Sequence, residues 1–143
     1  CLGYEVDVIL AGRSKDITRD EAKRNWEALR PLKKSIHLCE IYDSSLLNKV
    51  EAHVIVDALL GIGLEAPPRP PISQTVQQIN EAKAFKVAVD IPTGIDSDTG
   101  EVLGEAIKAD MTVTFHKAKP GLLKAKDCVG ELIVRHIGLP EEY

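Results

Sequence analysis

The sequence predicts an α/β fold, a three-layer αβα sandwich built round a mainly parallel sheet. Two observations carry this. Short runs rich in Val, Ile and Leu alternate with segments of helical periodicity through most of the chain. Two of those runs are almost continuously apolar, as befits strands covered on both faces. The length of 143 residues fits one domain, residues 1–143, with a single core. Aromatic residues make up only 4%, so that core rests on Val, Ile, Leu and Ala.

Residues 4–10 alternate apolar and polar side chains and then meet Ala11 and Gly12, which predicts a strand and a turn. Thr18-Arg19-Asp20-Glu21 has the form of a capping box, with Thr18 as cap. Ala22, Trp26 and Leu29 then follow at helical spacing until Pro31 closes the helix. Trp26 lies on the apolar stripe and reads as core packing. Residues 36–41 form a second strand. Asp43, Ser44 and Ser45 can cap a short helix carrying Leu46, Leu47 and Val50. Residues 54–60 predict a strand buried on both faces. A proline-rich loop, 67–71, then leads to a helix with Ile72, Val76 and Ile79 on one side. Strands follow at 86–91, 111–115 and 131–134, the last two without a clear helix between them.

The formal net charge of -4 and the lack of a basic run disfavour a nucleic-acid partner. Cys1, Cys39 and Cys128 form no C-x-x-C pair and read as incidental thiols of a reducing, cytoplasmic setting. No apolar stretch approaches the ~20 residues of a membrane span, and no signal peptide is visible. An opening on Cys1 rather than Met reads as a fragment or a processed product.

Ligands of open parallel sheets bind at the carboxyl ends of the strands. Three segments place polar or glycine residues there: 57–63, 90–96 and 115–121. The first contains Gly61-Ile62-Gly63-Leu64-Glu65-Ala66, which matches G-x-G-x-x-A and suggests a classical NAD-dependent dehydrogenase. That fingerprint needs a helix opening directly at the loop, and here prolines intervene. In the second, Pro92 restricts the backbone while Gly94 frees it, so Asp90 and the Thr93 hydroxyl can be aimed into one cleft. A carboxylate there could transfer a proton or hold a cation; equally, Asp90 and Asp96 could simply cap turns. Asp57, inside an apolar strand, needs hydrogen bonds or a cation to offset its burial. His116 and Lys117 could meet an anionic substrate, but Lys119 and Lys124 nearby suggest a plain basic surface. His37 and His53 show no paired ligand spacing and read as structural.

Taken together, the motifs resemble the NAD(P)H-hydrate epimerase family. The stretch 56–64 with Arg69, Ile79 and Asn80 resembles its "DALFGTGL…R…IN". The stretch 87–100 is similar to its "AVDIPSGLDADTG", and 109–115 with Lys119-Pro120-Gly121-Leu122 to its "ADATVTF…KPGL". The resemblance implies a Rossmann-like enzyme that interconverts the R and S forms of hydrated NADH and NADPH (NADHX and NADPHX), so that a dehydratase acting on one epimer can salvage both. It implies that Asp90 contacts the damaged nicotinamide as acid/base. It further implies that Gly61, Ile62, Gly63, Leu64, Glu65, Ala66 and Pro67 wrap the substrate, and that Asp57 and Thr93 ligate a potassium ion. A homodimer is implied as well.

Two departures from the family pattern stand out. The family's "GNNGGDG" loop, which follows its first strand, is absent, so residues 1–143 read as an N-terminally incomplete domain that lacks the family's first strand, and the strand at residues 4–10 matches the second in the family's order. Glu65 stands where some members carry a catalytic Lys, which leaves a second catalytic group unassigned. The ending Ile137-Gly138-Leu139-Pro140 resembles the junction to a fused ADP- or ATP-dependent dehydratase. The alternatives are a non-catalytic binding module on the same fold and the dehydrogenase above.

Overall fold

The computed structural model describes residues 3–32, 34, 36–43, 51–64 and 66–140. The chain divides into two compact units, Cys1–Asn48 and Lys49–Tyr143.

In the first unit, β1 (Val6–Ala11) and β2 (Ile36–Ile41) pair in parallel, from Val6 opposite Ile36 to Ala11 opposite Ile41. The crossover between them holds α1 (Asp20–Leu29), the kind of connection a parallel pair requires. The capping box does not form. The helix starts one residue later than that reading needs, Arg19 takes the cap position, and no side chain caps it. Asp20 and Glu21 instead place negative charge in the first turn, where the helix dipole favours it. Trp26 and Leu29 are half-buried, and no residue of α1 is fully buried. The short helix expected after Asp43 lies outside the described residues.

The second unit is a four-stranded sheet in the order β3 (Val54–Asp57), β4 (Phe85–Val89), β5 (Met111–Phe115), β6 (Glu131–Arg135), all parallel. Asp57, Ala88, Thr112 and Leu132 stand in one row across it. Strand side chains alternate between faces, so this row, with Ile55 and Thr114, belongs to one face. α2 (Ile72–Glu81) packs there, its Ile72, Val76 and Ile79 joining Ile55, Leu59, Ala88, Ile107 and Ala109 in one cluster. Two short helices separate β5 from β6, α3 (Pro120–Lys124) and α4 (Lys126–Val129). Their Leu122, Cys128 and Val129 form a second cluster with Ile91, Ile95 and Ala106. Helices of five and four residues are too short to show periodicity, which is why the sequence did not reveal them.

β3 departs from expectation in two ways. It ends at Asp57, because the Asp57 side chain accepts the Leu59 N–H at 3.2 Å and turns the chain. It is also not buried on both faces, since Val54 and Val56 are 54% and 60% exposed.

Candidate active site

Because β3, β4 and β5 run in parallel, their carboxyl ends lie along one edge. β4 and β5 end in the same way. Asp90, just past β4, has φ 68° and is bridged by the Ile91 N–H to the Val89 carbonyl at 2.9 Å. His116, just past β5, has φ 65° and is bridged by the Lys117 N–H to the Phe115 carbonyl at 2.8 Å. Three-residue turns with a positive central φ are rare and strained. Such strain costs on the order of 1–3 kcal/mol per residue and concentrates at functional sites. Here it swings the Asp90 carboxylate across the end of β5.

There the carboxylate is caught by one of its two oxygens. Asp90 Oδ1 accepts the Thr114 hydroxyl at 3.1 Å, the Phe115 N–H at 3.0 Å and the Lys119 ammonium. Lys119 Nζ also donates to Thr114 Oγ1 at 3.0 Å and to the Phe115 carbonyl at 3.2 Å. Burial pushes the Asp90 carboxyl up, but the Lys119 hydrogen bond and charge, with the Phe115 and Thr114 donors, outweigh it and hold the group below its ordinary value. Asp90 therefore does more than cap a turn. Asp96 does cap one, accepting the Asp98 N–H at 3.0 Å and the Thr99 N–H and hydroxyl at 2.7 and 2.9 Å.

Asp57 and Thr93 form a second, buried constellation beside it. Asp57 Oδ2 accepts the Thr93 N–H at 2.8 Å, and Oδ1 accepts the Thr93 hydroxyl at 2.7 Å. Thr93 Oγ1 in turn accepts the Leu60 N–H at 3.1 Å. Asp57 and Thr93 are 2% and 1% exposed. Burial pushes the Asp57 carboxyl up, against the pull of its hydrogen bonds to Thr93 and Leu59. The partner that a buried carboxylate requires is thus the loop after β4.

Two glycines allow this packing. Gly94 has φ 97°, and a Cβ there would lie 2.1 Å from the Glu105 carbonyl oxygen. At Gly121 a Cβ would lie 2.3 Å from the Asp96 carbonyl oxygen. The glycine loop after β3 behaves differently. Gly61, Ile62 and Gly63 are exposed, Leu64 is half-buried, Ala66 and Pro67 are exposed, and Glu65 lies outside the described residues. Among the described residues no helix opens at this loop, since α2 begins only at Ile72, so the dinucleotide fingerprint is not built.

Sequence reasoning missed Lys119 and Thr114. Lys119 is no plain surface lysine, whereas Lys124 donates to the Asp98 carbonyl from an exposed position. The signal that could have found Lys119 is its place four residues beyond the end of β5, the strand paired with β4, which ends just before Asp90.

Residues 1–121 match the family described as YjeF-related protein N-terminus. The chain belongs to that family. It is 43% identical over 141 residues to a bifunctional NAD(P)H-hydrate repair enzyme of Hyperthermus butylicus, covering 99% of this chain and 26% of that one. It is 39% identical over 142 residues to the NAD(P)H-hydrate epimerase of Nitrosopumilus maritimus, covering 98% and 65%. The chain thus spans about a quarter of the bifunctional relatives and just under two thirds of the stand-alone one. The crystal structure of yeast ynu0 superposes with a TM-score of 0.68 at 22% identity, over 94% of this chain and 54% of the yeast chain. That likeness supports the α/β, Rossmann-like architecture.

Proposed function

We propose that this chain is a single epimerase domain, residues 1–143, that interconverts the R and S forms of hydrated NADH and NADPH. The names of the relatives support the activity. The observation that carries it to a residue is Asp90, held ionised at a strained strand end with one oxygen clamped. The hydrated ring bears its hydroxyl on the carbon beside the ring nitrogen. Configuration there inverts when the hydroxyl proton is taken and the carbon–nitrogen bond opens, its electron pair and a proton going to nitrogen. Reclosure on the other face of the resulting aldehyde, with the proton returned to oxygen, completes the inversion. A positioned carboxylate suits that proton traffic.

The loop at Gly61, Ile62, Gly63, Leu64, Glu65, Ala66 and Pro67 follows β3 beside Asp90's strand, where a wrapping segment would lie. Asp57 and Thr93 would hold a potassium ion. The donor chemistry fits: the Asp57 carboxylate, the Thr93 hydroxyl and the Leu60 carbonyl, which lies 3.4 Å from Thr93 Oγ1, are all oxygens. A cation would also offset the burial of Asp57. When bound, such an ion would supply positive charge beside the substrate loop.

Among the described residues no helix is long and apolar enough to cross a membrane, and a cytoplasmic setting accompanies the proposed activity. A fused or separate dehydratase and a second copy of this chain are its proposed partners.

The test is proton NMR of one NADHX epimer enriched away from equilibrium, with the intact protein and potassium present. Protein-dependent equilibration, abolished in a folded Asp90→Asn variant, is the expected result. Absence of acceleration by folded protein would leave a non-catalytic binding module, and undiminished turnover in the variant would remove Asp90 from the chemistry.

A further inference from the structure

We infer that Lys119 is a positioning residue: it clamps Oδ1 of Asp90 so that Oδ2 is the oxygen presented to substrate. This rests on the epimerase reading for its chemistry, though not for its geometry.

Among the described residues every hydrogen bond to the Asp90 carboxylate falls on Oδ1: those of Thr114, Phe115 and Lys119. None falls on Oδ2, and the side chain keeps 22% of its exposure. One carboxylate is thereby divided into an anchored oxygen and an open one.

Lys119 cannot itself be the second proton-transfer group while this arrangement stands. A lysine ammonium has three N–H donors and no acceptor. All three have acceptors here: Asp90 Oδ1, Thr114 Oγ1 and the Phe115 carbonyl. A proton given to substrate would break one of these bonds and discharge the ion pair with Asp90. The lysine therefore acts through the aspartate.

The clamp is also well braced. Thr114 is fully buried within β5, and the Phe115 N–H and carbonyl belong to the strand backbone. Lys119 directly precedes Pro120, which opens α3, and Gly121, whose N–H donates to the Ser97 carbonyl at 2.8 Å. The lysine backbone is thus tied to the loop that follows Asp90. Among the described residues Lys119 is the one cation that hydrogen-bonds Asp90; the other two donors, Thr114 and Phe115, are neutral. Asp57 on the neighbouring strand bonds to Thr93 and Leu59 instead.

The experiment compares wild-type protein with Lys119→Met and Lys119→Arg, all as the intact chain. The Asp90 carboxyl is titrated by carbon-13 NMR, and kcat and KM for NADHX epimerisation are followed against pH. For Lys119→Met the inference expects kcat to fall about 100-fold, as misplacement of a reacting group costs, with KM little changed. Both the Asp90 titration and the acid limb of kcat should move to higher pH. Lys119→Arg should return the limb towards its wild-type position, because it restores the charge, while recovering the rate only in part. Lys119→Gln carries the same test if the Met variant does not fold. An Asp90 titration that stays in place in the Met or Gln variant, or a loss confined to KM, overturns the inference. If the wild-type protein fails to epimerise, the proposed function falls, and the NMR titration alone still decides whether Lys119 governs Asp90.

Discussion

Replacing Thr93 by Val tests whether one hydroxyl joins the loop after β4 to the end of β3. Val matches Thr in shape, so the substitution opens no cavity and isolates the hydroxyl. Two bonds are lost at a residue only 1% exposed: the 2.7 Å donation to Asp57 Oδ1 and the 3.1 Å acceptance from the Leu60 N–H. A hydrogen bond to an ionised acceptor contributes ~1.5–3 kcal/mol, and stranding a backbone donor costs ~1–2 kcal/mol more. The expected loss is therefore about 2.5–5 kcal/mol, at the upper end for a single substitution. Thr93→Ser keeps both bonds and gives up one methyl, so it should lose only about 1 kcal/mol. Urea unfolding of the intact protein measures both as a midpoint shift at unchanged slope. A Val variant within about 1 kcal/mol of wild type, or a Ser variant that falls as far as Val, would refute the reasoning.

Gly94 and Gly63 both have positive φ, 97° and 89°, but only Gly94 has backbone in the way of a Cβ. Gly94→Ala should cost more than about 3 kcal/mol, whereas Gly63→Ala should cost only the ~1–2 kcal/mol of left-handed backbone; equal midpoint shifts in urea would contradict this. Asp90 predicts a pH dependence. Its folded value lies below the ordinary 3.8, so its stabilisation is fully present above 3.8 and is lost as pH falls through the folded value. The stability gap between wild type and Asp90→Asn should thus be constant above that range and close on further acidification; a gap that held its size would count against an ionised, clamped Asp90.

The sequence by itself determined what each segment could become. The runs at 36–41 and 111–115 form strands with those very bounds, because their β-branched and aromatic side chains lose rotamer freedom in helices and pack well on a pleated surface. The stripe of Ile72, Val76 and Ile79 became the buried side of α2. The prolines at 67–71 kept the glycine loop from opening a helix, which separates the chain from the dinucleotide fingerprint. Asp57, Asp90 and Thr93 stood out as polar groups at apolar strand ends, where burial demands partners. Which partners they have was not legible, because hydrogen bonds between neighbouring strands depend on register rather than on spacing along the chain. Thr93 bonds to a residue 36 positions earlier, and Lys119 to one 29 positions earlier. Local pattern made Lys119 one surface lysine among several. Only the parallel pairing of β4 with β5, and the left-handed turn at Asp90, bring that ammonium and the carboxylate together, and at a half-buried strand end that pairing helps hold the carboxyl below its ordinary value against the cost of burial.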